Sequence, residues 1–207
     1  MPYKVLIVDD ESMVRVGFES ILRDADNYMI ADSLDTAEAA VDYCGTHSVD
    51  LVLMDVVMSR GINGLEAARR IKERSCATKV VIVTSMAEVS FLRRARECGV
   101  DSFWYKDLNK TPILTVLDRT MAGESIYPDT TPTLTIGKAS SVDLTAREIE
   151  VLRGVVRGDT NQEIADSLFM SAATVNFHIK SLLYKTGCRN RVELAVIACT
   201  EGLIVAD

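Results

Sequence analysis

Residues 51–55 read LVLMD. Four consecutive apolar side chains stopped at once by an aspartate suit a strand buried on both faces that ends at a polar edge. The same pattern recurs on either side. Residues 4–11 read KVLIVDDE, residues 80–85 read VVIVTS, and residues 99–106 read GVDSFWYK. With a shorter apolar run at residues 29–31, this gives strands at 4–8, 29–31, 51–54, 80–83 and 102–105. Amphipathic stretches fill the gaps, at residues 12–23, 36–44, 65–74 and 89–98. A last one starts near Pro112, which suits a first helical turn, and stops at Gly123. In residues 12–23, Met13, Val14, Phe18, Ile21 and Leu22 are expected on the core-facing side. Strands alternating with helices predict an α/β fold, a doubly wound five-stranded parallel sheet covered on both faces.

The rest of the chain changes character twice. Residues 123–142 hold Pro128, Pro132 and many Ser and Thr without a sustained period, and read as a linker. Residues 143–207 then read as a small all-α domain with helices at about 145–157, 161–168, 172–186 and 191–201. Thr145 with Glu148 makes a capping box, Ser171 can cap the third of these helices, and Gly158 and Gly187 stand where C-terminal caps belong. The domain boundaries are therefore 1–122, 123–142 and 143–207.

The chain has 207 residues, 48% hydrophobic and 26% charged, which is ordinary for globular protein. No stretch approaches the roughly 20 apolar residues of a membrane span. The apolar run at the N-terminus stops after Val8, so no signal peptide is expected and the cytoplasm is the expected compartment. Five widely spaced cysteines form no CxxC pair and suggest neither a zinc site nor a disulfide framework; they are expected as buried, reduced thiols. The net charge of −7 excludes a chain that coats nucleic acid indiscriminately. Residues 167–192 nevertheless contain no acidic side chain and carry Lys180, Lys185, Arg189 and Arg191, a narrow basic footprint.

Function in doubly wound sheets gathers at the carboxyl ends of the strands. In a flavodoxin-like strand order Asp9, Asp10, Asp55, Thr84 and Lys106 would converge there. Crowded carboxylates repel one another, and a hard divalent cation relieves the repulsion; few carboxylates with all-oxygen ligation suit Mg²⁺. The cation and the Lys106 ammonium could then neutralise an incoming phosphoryl group attacked by a carboxylate, with the Thr84 hydroxyl donating to the group once attached. Each element has a plainer reading: an acidic turn at Asp9 and Asp10, a solvated Lys106, a core Phe103.

These four motifs, in this order, resemble the receiver domain of bacterial response regulators over about residues 3–122. The resemblance implies that Asp55 is the phosphoacceptor, assisted by Lys106 and Thr84. It implies that Asp10 and Asp55 hold Mg²⁺, with Asp9 acting through water and the backbone carbonyl of Val57 completing the protein ligands. Thr84 and Phe103 would form the switch pair, the aromatic ring turning inward as Thr84 moves towards the phosphoryl group. One departure stands beside Asp55. The family usually continues with Met-Pro, whereas this chain reads MSRGING at residues 58–64, with Ser59 for proline and one extra residue. The freed backbone bears on metal affinity and phosphoryl lifetime.

Residues 144–148 (LTARE), 158–165 (GDTNQEIA) and 171–175 (SAATV) resemble the LuxR-type helix-turn-helix, and the whole chain resembles response regulators of the NarL/FixJ type. Within residues 172–186, Val175, Ile179, Leu182 and Leu183 are spaced to pack inward, the preceding helix bracing this one in a major groove. By family position, Asn176, Phe177 and Lys180 read as base-edge contacts. Thr174, His178, Lys185 and the capping Ser171 read as phosphate contacts, with backbone N–H groups at the helix start. Phe177 is alternatively a core residue and His178 a half-buried one without DNA contact. Asn176 stands where many relatives carry lysine and suits adenine, so an A·T preference is expected. The last helix is more apolar than a lone surface helix needs, which suits a two-fold dimer and an inverted-repeat operator.

The function expected from this resemblance is a two-component response regulator. A sensor histidine kinase phosphorylates Asp55, which drives homodimerisation and sequence-specific DNA binding to regulate transcription, with RNA polymerase a candidate partner. Two alternatives stay open. One is an orphan regulator whose DNA binding ignores phosphorylation. The other is a Mg²⁺-dependent phosphatase; such enzymes usually place the nucleophile at the end of strand one in a DxD arrangement, whereas here the Asp9–Asp10 pair is adjacent and the best nucleophile, Asp55, is on strand three. Apart from slow hydrolysis of its own phosphoryl group, no metabolic enzyme activity is expected.

Overall fold

Side chains alternate across a strand, so each buried run sends every second residue to each face of its sheet. The computed structural model describes residues 1–86, 88, 90–106, 111–129 and 133–204. It builds β1 (Tyr3–Val8), α1 (Ser12–Arg23), β2 (Tyr28–Leu34), α2 (Ala37–Thr46), β3 (Leu51–Met54), α3 (Gly64–Arg74), β4 (Lys79–Thr84), α4 (Phe91–Glu97), β5 (Ser102–Tyr105) and α5 (Ile113–Met121). The five strands form one sheet in the order β2-β1-β3-β4-β5, and every pairing is parallel. On one face Val5, Ile7, Leu51, Leu53, Val81 and Val83 pack with Phe18 and Leu22 of α1 and Val116 and Leu117 of α5. The alternate residues Leu6, Val8, Val52, Met54, Val80 and Ile82 are equally buried on the other face.

The boundaries shift where the pattern was weakest. β2 extends to Leu34, past Asp32 and Ser33, because it is an edge strand whose polar residues are only partly covered. α4 starts at Phe91; Val89, where the sequence reading starts it, lies outside the described residues. On α1, Met13 is 80% and Ile21 38% exposed, contrary to the expected core face. At about 100° per residue, Met13 lies roughly 140° from Phe18, too far to share its stripe.

The chain divides into two compact units, and the second takes in everything from Thr131 onward. The stretch read as a linker is therefore shorter than it looked. Residues 124–127 belong to the first unit, where Phe103 N–H donates to the Ile126 carbonyl at 2.8 Å and Tyr127 Oη donates to the Val100 carbonyl at 2.8 Å. A small antiparallel hairpin, β6 (Thr135–Ile136) and β7 (Ala139–Ser140), and a single 3-10 turn (Ser141–Asp143) open the second unit.

α6 (Ala146–Arg157), α7 (Asn161–Ser167), α8 (Ala172–Thr186) and α9 (Arg191–Thr200) follow. Thr145 and Glu148 form the expected capping box, Ser171 Oγ accepts from Thr174 N–H at 3.1 Å, and Gly158 and Gly187 end their helices in the left-handed conformation. Val151, Leu152, Ile164, Val175, Leu182 and Leu194 sit at the centre of this unit's core. All five cysteines are free, but only Cys188 is buried and Cys76 is exposed, which corrects the expectation of buried thiols. No helix among the described residues is long and apolar enough to cross a membrane.

Candidate functional site

β1 pairs with β2 on one side and β3 on the other, so the chain reverses its winding direction there and leaves a crevice at the carboxyl ends of β1 and β3. The crevice collects the residues singled out in the sequence. Asp55 N–H donates to the Val8 carbonyl at 2.9 Å, which fastens the start of the next loop to the end of β1. The carboxylates of Asp9, Asp10 and Asp55 each offer an oxygen within 4.8 Å of the others. Asp9 is fully buried and Asp55 is 5% exposed. Gly64 is required nearby, because a Cβ there would collide with the Asp55 carbonyl as the chain turns into α3.

Hydrogen bonds divide the work among these groups. Lys106 Nζ donates to Asp9 Oδ2 at 2.5 Å and lies 3.7 Å from Asp55 Oδ2. Glu11 N–H donates to Asp9 Oδ1 at 2.9 Å, so both oxygens of Asp9 are engaged. Asp10 accepts from Ser59 N–H at 2.8 Å. Asp55 accepts from its neighbour, Val56 N–H, at 2.9 Å and from the Thr84 hydroxyl. Burial pushes the Asp55 carboxyl up to about 7; Lys106 opposes this, Asp9 adds to it, and the two hydrogen bonds oppose it. An aspartate in that condition is under-supplied with positive charge.

Thr84 is 1% exposed at the end of β4. Phe103 is 1% exposed on β5, its ring centroid 5.0 Å from that of Tyr105 and 6.2 Å from that of Tyr127. Its ring is therefore already inward, covered by residues 126 and 127. Sequence reasoning missed the two residues that seat the loop after β3, Ser59 and Glu38. Ser59 was noted only for the proline it replaces, and Glu38 resembles any charge in a first helical turn.

The second unit presents the other candidate surface. Val175, Ile179 and Leu182 of α8 are buried, and Leu183 packs beside them. Thr174, Asn176 and Lys180 are exposed, His178 is half-buried, and Phe177 is 68% exposed, so Phe177 is not a core residue. Among the described residues no hydrogen bond or ion pair engages Lys180. The other three cations of the basic segment are committed inside the unit: Arg189 to Glu193 at 3.1 Å, Arg191 to the Asp159 carbonyl at 2.7 Å, and Lys185 to Glu148 at 2.7 Å. Lys185, read from the sequence as a phosphate contact, is thus engaged within the unit. Its ammonium also donates to the Asp143 carbonyl at 2.9 Å, because it lies on the side of α8 that faces α6. Glu148 additionally accepts from Ser181 Oγ at 2.7 Å and Thr145 N–H at 2.7 Å, tying α6 to α8. On α9, Val192 and Val196 are 67% and 54% exposed, an apolar surplus outside the core.

Comparison with known proteins agrees with both halves. The family model described as response regulator receiver domain matches residues 5–118, and that described as bacterial regulatory proteins, luxR family, matches residues 142–198. The response regulator protein VraR of Staphylococcus epidermidis is 31% identical over 209 aligned positions, covering 99% of this chain and all of that protein. VraR of Staphylococcus aureus is also 31% identical with the same coverage. Among solved structures, RcsB of Salmonella enterica serovar Typhimurium bound to a promoter superposes with a TM-score of 0.65 at 18% identity, covering 99% of this chain and all of that one. A structure of two RcsB dimers bound to two parallel DNAs gives 0.65 at 19% identity, covering 97% and 99%. The chain belongs to the response regulators, with a receiver domain and a LuxR-type DNA-binding domain.

Proposed function

We propose that Asp55 accepts a phosphoryl group from a sensor histidine kinase and that its phosphorylation controls homodimerisation and DNA binding by α8. One observation carries this reading: Asp55 is buried, under-supplied with positive charge, and already contacted by Thr84 with Lys106 at 3.7 Å. The residues also fit Mg²⁺. Three carboxylates with oxygens within 4.8 Å of one another form a hard, all-oxygen donor set whose excess negative charge a divalent cation relieves. Asp10 and Asp55 would hold it, Asp9 would assist through water, and the Val57 carbonyl would complete the set. When bound, the cation supplies the charge that lets an anionic nucleophile meet an anionic phosphoryl group.

The chain's own residues do the rest. Burial and the Val56 N–H orient the Asp55 carboxylate for attack. Lys106, held by Asp9, stands where it can pair with a phosphoryl oxygen, and the Thr84 hydroxyl can transfer its hydrogen bond from Asp55 to that group. In the second unit Asn176, Phe177 and Lys180 meet base edges, while Ser171, Thr174 and the half-buried His178 stand near the phosphates at the start of α8. The exposed Val192 and Val196 suit a two-fold contact and hence an inverted-repeat operator. The protein works in the cytoplasm and has no metabolic turnover beyond slow loss of its own phosphoryl group.

A second reading, DNA binding independent of phosphorylation, is favoured by the loop after β3, which is one residue longer than the family's usual sequence beside Asp55. Operator binding by the wild type and Asp55→Asn, with and without a small phosphodonor, separates the two. A donor-dependent gain in the wild type alone is expected; equal affinity in all four conditions would leave the second reading standing.

A further inference from the structure

The loop between β3 and α3 departs from the family's usual sequence, and its backbone makes two side-chain contacts, one of which a proline at position 59 would not allow. A proline at position 59 would have no N–H. Ser59 has one, and it donates to Asp10 Oδ2 at 2.8 Å. Three residues on, Ile62 N–H donates to Glu38 Oε1 at 2.6 Å. Glu38 stands in the first turn of α2, 24 residues away in sequence. Between the two amides Gly61 takes φ 81°, a left-handed conformation. A Cβ there would collide with the Glu38 carboxylate, so glycine serves both the backbone turn and the approach of Glu38. Asn63 then caps α3 by accepting from Glu66 N–H at 3.0 Å.

Two carboxylates thus hold one loop at two of its amides, and one of them lines the acidic crevice. The loop carries Val57 at its start and Ser59 two residues later, so its seating decides which way the Asp10 carboxylate is held. A carboxylate that accepts from an amide on one oxygen keeps the other for a cation, which is how outer hydrogen bonds orient metal ligands.

We infer that Glu38 is a positioning residue for the acidic crevice: through Ile62 it seats the extended loop, and the seated loop orients Asp10 for cation binding through Ser59 N–H. The inference rests on the reading of the crevice as a divalent-cation site. Glu38 touches neither the cation nor the reacting atoms. What it supplies is a hydrogen-bond acceptor at a fixed place; the ionised carboxylate makes the stronger bond, and a neutral amide oxygen in the same place keeps part of it.

The test is a titration of the full chain with Mn²⁺, followed by electron paramagnetic resonance of the free ion, together with amide hydrogen exchange at Ser59 and Ile62. Glu38→Ala is expected to weaken Mn²⁺ binding about tenfold, the lower end for loss of an outer-shell partner, and to speed exchange at both amides. Glu38→Gln keeps an oxygen in place and is expected to restore most of the affinity. Gly61→Ala should resemble Glu38→Ala, because its Cβ displaces the carboxylate. Ser59→Pro should weaken binding similarly, and Glu38→Ala added to it should cost little more, since both act through one contact. Circular dichroism melting checks that each variant folds, and Glu38→Gln keeps the test open if Glu38→Ala does not. Equal affinities for the wild type, Glu38→Ala and Ser59→Pro would overturn the inference while leaving the cation site intact, and so would equal losses in Glu38→Ala and Glu38→Gln. A wild type that binds no Mn²⁺ would overturn the cation site and this inference with it.

Discussion

Asp55 and Glu148 are carboxylates with little exposed surface, 5% and 3%, one in each unit of the chain, but Asp55 is packed around much more deeply. Burial pushes both upward, yet they end far apart. Asp55 rises to about 7, because one distant ammonium and two hydrogen bonds do not offset its desolvation. Glu148 is held at about 2, because burial is outweighed by Lys185, Thr145 N–H, Ser181 and the Thr145 hydroxyl. A buried carboxylate is read by its partners together with its depth: Asp55 is deeper and less well partnered, Glu148 shallower and fully engaged. A saturated one ties helices together; a starved one is ready for chemistry or for a cation.

The contrast should appear first in the pH dependence of stability. Asp55 has a raised value in the folded protein, so its contribution is fully present below about 3.8 and is lost as pH rises through about 7. At roughly 1.4 kcal/mol per pH unit the span is worth at most about 4.5 kcal/mol. Asp55→Asn is expected to stabilise the first unit at pH 8 without metal and to flatten its pH profile, as chemical denaturation at several pH values would show. Mg²⁺ should recover much of the same stability in the wild type. Unchanged stability at pH 8 would mean that Asp55 is better satisfied than its surroundings indicate.

Glu148 has the opposite sign. Its lowered value gives stability that is present above about 4.5 and lost as pH falls towards about 2. Glu148→Ala removes the cap of α6 and the tie to α8 together, and should destabilise the second unit by about 3 kcal/mol at pH 7. Denaturation followed by far-ultraviolet circular dichroism measures this. A loss below about 0.5 kcal/mol would make Glu148 an ordinary surface cap.

How far the sequence disclosed all this depends on the range over which each interaction acts. The sheet was legible because uniformly apolar runs ending at Asp9, Asp55 and Thr84 leave few alternatives. The capping boxes were legible because their partners lie three residues apart. The hairpin at β6 and β7 was not, since strands of two residues have no period to detect. The tie of Lys185 to Glu148 was hidden for a related reason: nothing local to residues 180–191 reveals a partner 37 residues earlier. Glu38 was invisible because its contact depends on how the loop after β3 turns at Gly61.

Two smaller effects sharpen the contrast within α8. Asn176→Ala should lose about 1–2 kcal/mol of discrimination between A·T and G·C at one operator position, as competition binding with substituted sites would reveal. An unchanged preference would remove Asn176 from base reading. Lys180→Ala should lower the salt dependence of binding by about one counterion, whereas Lys185→Ala should leave that slope alone and cost stability instead. The reverse outcome, with Lys185 carrying the slope, would restore it as a phosphate contact.

The most direct test of Asp55 as the acceptor is mass spectrometry of the intact protein after incubation with a small phosphodonor and Mg²⁺. One added phosphoryl group is expected, mapped to Asp55, dependent on Mg²⁺, and absent from Asp55→Asn. A protein that takes up no phosphoryl group, or one whose Asp55→Asn variant takes it up equally well, would contradict it.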